Sequence, residues 1–535
     1  MSRFDPIDIR RFISPDRRDV LRALGLGAGL FLSDSVISRH AWANPVFKVD
    51  PFSLGVASGD PAADGFVIWT KLAPEPLKPG GGMPARPVDV RWEVSTDPTM
   101  ASFIRAGLAQ AKPQLGHSVH VELTGLEPGR DYFYRFDAGG VRSPVGRAKT
   151  FPAPGSNAPV RFASAGCQRY EHGYFTAWRR IAEDRLDFIV HYGDYIYEYK
   201  TIKPDDDNRT SLVRDMPGAP GKCLTLADFR NRYAIYKLDP DLQAAHASAP
   251  FIVSFDDHEV ENNWAGYSSE YEGVTKQAFA LRRAAAFQAW YEHMPLRARQ
   301  MPKGPEILAH RRLDIGGLIR LDVLDTRQYR DPQPCDDGWK ICPEAKASQR
   351  TMLGRAQEEW LYAGFRESRA TWNLLAQQVP MMRFDRNPDP TITETHMDKW
   401  DGAEAARGRL FAAAEAAKIA NLVVLAGDVH QHRAAELKAD FDNPASKTVG
   451  VEFVATSIAS NGDGADQPKT TPALMSANPH MKFFNAQRGY VRHQVTAARW
   501  QADFQVLDKV SLKDAPAKTR ASFVVEAGKP GLAKA

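Results

Sequence analysis

The chain has 535 residues, 43% of them apolar and 25% charged, the composition of a globular protein long enough for two domains behind a processed end. A formal charge of +4 is too small to argue for nucleic acid or an anionic membrane as the main partner. Four cysteines, at positions 167, 223, 335 and 342, match neither a disulfide framework nor a zinc-ribbon spacing.

Residues 1–43 read as a targeting segment. Arg17-Arg18 precedes Asp19, Val20, Leu21 and Arg22 and then the apolar run Ala23–Leu32, and Ala41-Trp42-Ala43 fits a small-x-small cleavage site. That run is shorter than the about 20 residues a membrane-spanning helix needs. A twin-arginine export signal fits best, although Asp16 and Val20 depart from the usual Ser and Phe. The expectation is therefore passage through the twin-arginine machinery to a periplasmic or extracellular location, with no transmembrane segment.

Residues 50–150 read as a β-sandwich. Phe66–Trp69, Val88–Trp92 and Val119–Leu123 have strand length and apolar or alternating character, with Gly, Pro and Asp between them. Leu126–Tyr134 resembles the tyrosine corner of fibronectin-type sandwiches, and Phe151–Pro159 is a linker. Nothing catalytic stands out in this part, whose expected role is support.

Beyond the linker, short apolar runs alternate with helical intervals, the mark of α/β layers. Val160–Ala165 ends in Gly166-Cys167, and Leu186–Val190 leads into Gly193-Asp194 with Tyr197 three residues on. Phe251–Phe255 ends in Asp256-Asp257-His258-Glu259, and Leu422–Ala426 ends in Gly427-Asp428-Val429-His430. Buried parallel strands place ligands at their carboxyl ends, so four separate strands each deliver a ligand-type residue to one place. A carboxylate and a phenol converging there suit a hard cation such as ferric iron. The run Tyr490–Val510 is expected to close the sheet as a hairpin, and residues 511–535 to be a loose tail with one short strand at Ala521–Glu526.

The order GC, GDxxY, DDHE and GDVH resembles the metallophosphoesterase superfamily, whose comparable motifs are DxH, GDxxY, GNHE and GHxH. With the sandwich and the export signal, the chain is similar to the PhoD-type alkaline phosphatases, a resemblance covering nearly all of residues 50–510. It implies an N-terminal fibronectin-like β-sandwich followed by a four-layer αββα metallophosphatase domain over residues 160–510. It also implies a ferric site at Cys167, Asp194, Tyr197 and His430. Asp194 would bridge to an oxygen-lined site at Asp257 and Asp428 that favours calcium, since no histidine precedes Asp428. Asn262 either ligates that calcium or caps a helix. His258 is expected to be catalytic without ligating a metal.

Arg327 has two readings, a substrate-phosphate contact and a structural salt bridge, while His191 and His432 read as core histidines. Lys399-Trp400-Asp401-Gly402 resembles a family segment lining the cleft, with no role assigned to Asp401. Cys335 and Cys342 flank a short loop that an oxidising compartment would allow to pair. The expected activity is hydrolysis of small phosphate monoesters by metal-activated water, with diesters as further substrates. Two other functions remain at this point, a phospholipase-D-like phosphodiesterase and a calcium-dependent surface-binding protein.

Overall fold

The computed structural model describes residues 45–535 apart from 203–211 and Pro220. The expected export signal, residues 1–43, lies outside the described residues. Among the described residues no helix is long and apolar enough to cross a membrane.

The N-terminal part is built from two antiparallel sheets. Val56–Ala62, Gly65–Lys71 and Ser118–Leu123 form the first, which continues into a larger sheet because Gly59 also pairs in parallel with Phe251. The second contains Val88–Ser95, Arg105–Ala111, Asp131–Ala138 and two short strands ending at Lys149. Alternation sends Tyr132, Tyr134 and Phe136 inward from one strand, where they meet Phe66, Ile68, Val90 and Val94 in a shared core. The Tyr132 hydroxyl accepts a hydrogen bond from the Glu127 backbone N–H at 2.8 Å, fixing the bend before its strand. This part is fastened to the rest by a buried ion pair between Asp60 and Arg311 at 2.7 Å and by Lys71 against Glu292 at 3.3 Å.

Two larger sheets carry the remainder. In one, Val160–Ala165, Phe188–His191 and Phe251–Val253 run parallel. In the other, Ile319–Val323, Trp372–Ala376, Leu422–Ala426 and Thr448–Val454 run parallel. Their inner faces meet through Phe162, Phe188, Val190, Leu374, Val423, Leu425 and Phe504. The outer face of the first packs Ala163, Ile189 and Phe251 against the helices Thr176–Glu183, Leu226–Lys237, Pro240–Ser248 and Lys276–His293. The outer face of the second packs Leu375 and Val424 against Arg355–Glu367 and Glu404–Ala416. Alternate residues of one strand thus enter different cores, so both faces are buried and the sequence shows unbroken apolar runs.

One long strand, Met481–Val495, belongs to both sheets. Its first half pairs with His432–Lys438, and its second half pairs with Val160–Ala165 on one side and Arg499–Leu507 on the other. The C-terminal residues are not a loose tail. Ala517–Glu526 pairs along Arg499–Leu507, and Lys529–Lys534 adds another antiparallel strand. The reason is packing, because Phe523 and Val525 complete the inner core beside Phe504 and Trp500.

Candidate metal centre

The carboxyl ends of these strands converge on one cleft, and the turns that leave them are held in an uncommon conformation. Cys167 (φ 52°), Asp194 (φ 56°), Asp428 (φ 66°) and His430 (φ 54°) all lie in the left-handed region. Such values are costly for residues with a Cβ and persist where the surroundings impose them, as at ligand sites. Gly193 (φ 123°) is required at its place, since a Cβ there would stand 2.5 Å from both the Cβ and the backbone N of Asp256. Tyr192 wedges between the first and last ligand turns, its ring filling the space where Gly166 and Gly427 lack side chains. Its hydroxyl donates to Thr456 O at 2.6 Å.

The cleft has two overlapping halves. The thiol of Cys167, a carboxylate oxygen of Asp194 and a ring nitrogen of His430 lie within 4.8 Å of one another. The Tyr197 hydroxyl joins them, donating to Asp194 Oδ2 at 2.9 Å and lying 3.0 Å from His430 Nε2. Ser460 Oγ donates to the same hydroxyl at 2.8 Å, and the Asn461 amide lies 2.9 Å from His430 Nδ1. In the other half, Asp256, Asp257 and Asp428 bring carboxylate oxygens within 4.8 Å of one another. Asp194, Asp257 and His258 form a third such group, so Asp194 faces both halves.

The electrostatics of the cleft suit cations. Burial pushes Asp194, Asp256 and Asp428 above the ordinary carboxylate range, with neighbouring carboxylates adding to the effect. Burial likewise raises Cys167 and Tyr197, and it lowers His430. Asp257 is the exception, because Arg327 and His258 outweigh its burial and hold it below the usual range. Asp256 Oδ2 and Asp257 Oδ1 are buried and accept no hydrogen bond among the described residues. Buried orphan carboxylate oxygens beside a thiol, a phenol and an imidazole are the donor set of a metal centre, whose charge would favour the ionised forms. The residues present fit such a group.

His258 stands between the halves. Its Nδ1 is 2.8 Å from Glu198 Oε2, and its backbone N–H points to Asp194 Oδ1 at 3.4 Å. Burial opposes charge on this imidazole, but Asp257, Asp194 and Glu198 prevail and raise its pKa to about 10. It is therefore an acid at neutral pH, oriented by Glu198. Glu259 straps the neighbouring turns by accepting the backbone N–H groups of Asp194, Tyr195 and Asp256.

Arg327 is fully buried beneath the carboxylates, at 2.6 Å from Asp256 and 2.8 Å from Asp398, so it braces the floor and is out of reach of substrate. His191 accepts from the Gly193 backbone N–H and stacks on Trp178, and His432 lies against Gln505 O; both belong to the core. Asp401 holds Arg407 and the Phe384 N–H. The Asn262 amide donates to Glu270 at 2.8 Å, while its neighbour Asn263 gives its backbone N–H to Asp257 Oδ2 at 2.8 Å. Cys335 and Cys342 form a disulfide. Sequence reasoning missed Asp256, Glu198 and Asp398 as parts of the site, the doubled aspartate before His258 being the available signal for the first; Lys399 stood in the segment read as cleft-lining, without a role, and lies against Asp428.

Comparison with known proteins gives a consistent result. Residues 162–504 match the PhoD-like phosphatase family, and residues 39–152 match the N-terminal domain of PhoD-like phosphatases. The chain is 47% identical over 528 residues to alkaline phosphatase D of Bacillus subtilis (strain 168), covering 97% of this chain and 89% of that protein. A solved structure of PhoD, also 47% identical, has a TM-score of 0.88 and covers 92% of this chain and 93% of that one. Purple acid phosphatase PPD1 from yellow lupin (Lupinus luteus) seeds, 14% identical, has a TM-score of 0.53 with 90% of this chain and 75% of that one covered. At that identity the likeness is one of fold alone.

Proposed function

Since the chain belongs to the PhoD-like phosphatase family and is a phosphoester hydrolase, we propose that it acts outside the cytoplasmic membrane as an iron- and calcium-dependent alkaline phosphatase. The observation that carries the two-cation reading is Asp194, which faces a thiol–phenol–imidazole half on one side and an all-carboxylate half on the other. Cys167, Asp194, Tyr197 and His430 would hold ferric iron. Asp194, Asp257 and Asp428 would hold calcium, a cation that takes oxygen ligands. The N-terminal β-sheets are taken as a fibronectin-like sandwich supporting a four-layer αββα domain.

When bound, the cations supply polarisation of the phosphoryl oxygens and a lowered pKa for a water nucleophile. The protein's own groups do the rest. Tyr197 and the His258 backbone fix the two oxygens of Asp194. Glu198 holds His258 Nδ1–H, which leaves Nε2–H to stabilise charge on the phosphoryl group and to protonate the leaving oxygen.

Elemental analysis of protein purified from its native compartment, read beside its visible spectrum, tests the metals. A phenolate-to-iron charge-transfer band is expected, and Tyr197→Phe should bleach it; a colourless, active enzyme containing only zinc rejects the ferric assignment. Replacing Arg17 and Arg18 by lysine is expected to leave the protein in the cytoplasm. Unchanged delivery across the membrane would reject the twin-arginine route.

A further inference from the structure

The three carboxylates of the oxygen-rich half are not equally placed. Asp256 Oδ2, Asp257 Oδ1 and Asp428 Oδ2 are all buried and accept no well-aligned hydrogen bond among the described residues, although Arg327 Nη2 lies 3.7 Å from Asp257 Oδ1. Among the three, Asp428 is the one with a lysine ammonium against that oxygen, in its ion pair with Lys399. Lys399 also lies 3.0 Å from Asp398 Oδ2, with its side chain only 13% exposed. Asp398 itself is fixed, bound by Arg327 Nη1 at 2.8 Å, Arg330 Nη1 at 3.1 Å and Gln333 Nε2 at 2.7 Å.

The two cationic side chains beside Asp428 differ in freedom. Arg327 is fully buried and shared among Asp256, Asp257, Asp398 and Asp428, so it cannot leave without breaking the floor. Lys399 hangs on a flexible four-carbon stem with a second carboxylate already in contact. It can leave Asp428 and keep Asp398. An ammonium and a metal ion cannot share the same carboxylate oxygen at full strength, because their charges repel within a few ångströms in a site of reduced dielectric.

We propose that Lys399 is a built-in counter-cation of this half-site, which occupies Asp428 while no metal is bound there, withdraws to Asp398 when one binds, and thereby sets how tightly that metal is held. The inference rests on the two-cation reading above. Its consequence is a second cation held less firmly than the carboxylate count alone implies.

The test is calorimetric titration of calcium into the full-length protein after dialysis against EGTA, with iron counted in each preparation. Lys399→Met keeps the stem and removes the charge. Its calcium dissociation constant should fall by about tenfold or more, while Lys399→Arg, which keeps the charge, should stay within about threefold of wild type. Lys399→Gln gives the same readout if Met is not tolerated. Calcium binding by Lys399→Met that is equal to or weaker than wild type overturns the proposal. Wild type that takes up no calcium rejects the underlying two-cation reading, which is a separate result.

Discussion

His258→Ala is expected to lower kcat by ~10²–10⁴ on alkyl phosphates while leaving iron and calcium contents unchanged. The imidazole is one hydrogen bond from Glu198 and lies among carboxylates that keep it protonated, so its loss removes a proton donor and leaves the ligand set intact. The loss should be smaller for p-nitrophenyl phosphate, whose leaving group needs little protonation. Equal losses on both substrates would reject proton donation and leave only charge stabilisation. The alkaline limb of kcat/KM offers a second check. A raised pKa means the acid form persists above neutral pH and is lost as pH rises through it, at a value below the about 10 that Asp257, Asp194 and Glu198 set without cations on the first two. Glu198→Gln removes one of the groups that raises it, so the limb should move to lower pH; an unmoved limb would show that His258 does not supply that proton.

Asp194→Asn should have an effect of the same order or larger, on the order of 10³-fold or more in activity, together with loss of both metals. The substitution keeps size and shape. Its amide nitrogen, however, would have to face either the Tyr197 hydroxyl or the His258 backbone N–H, each of which now donates to a carboxylate oxygen. Toward His258 one donor would meet another, and toward Tyr197 the hydroxyl would have to accept in place of donating; in both cases the carboxylate charge facing the two halves is lost. The measurement is metal content beside activity. Retention of both cations at wild-type levels would show that Asp194 does not join the two halves.

The strand ends that carry the site were legible because doubly buried parallel strands are written as short apolar runs, and a polar residue just past each run is the proposed ligand. Leu422–Ala426 followed by Gly427-Asp428 is the clearest case. The loop residues were not legible in the same way. Lys399, Asp398 and Asn461 come from irregular segments with no period, and only folding brings them to partners tens of residues away. Arg327 could be read both ways until its full burial under four carboxylates decided the matter. The C-terminal strand was read too short, as Ala521–Glu526 with its buried Phe523 and Val525, because residues 517–520 are a polar start with no apolar period, and Lys529–Lys534 is likewise mostly exposed.

The sharing of Met481–Val495 between the two sheets bears on when the protein can become an enzyme during its synthesis. Val160–Ala165, which leads into Cys167, leaves the ribosome early, yet one of its two neighbours is Val491–Val495. At ~5–20 residues per second that partner arrives on the order of tens of seconds later. Until then the first ligand strand has an open edge, and Arg488, which binds the His430 carbonyl at 2.8 Å, has not yet been made. Long-range pairing of this kind is slow to form and exposes unpaired edges while it waits. The cleft is therefore completed only after translation of nearly the whole chain, so a metal would enter a finished protein, and a nascent chain stalled before residue 488 should be colourless and a ready client for chaperones.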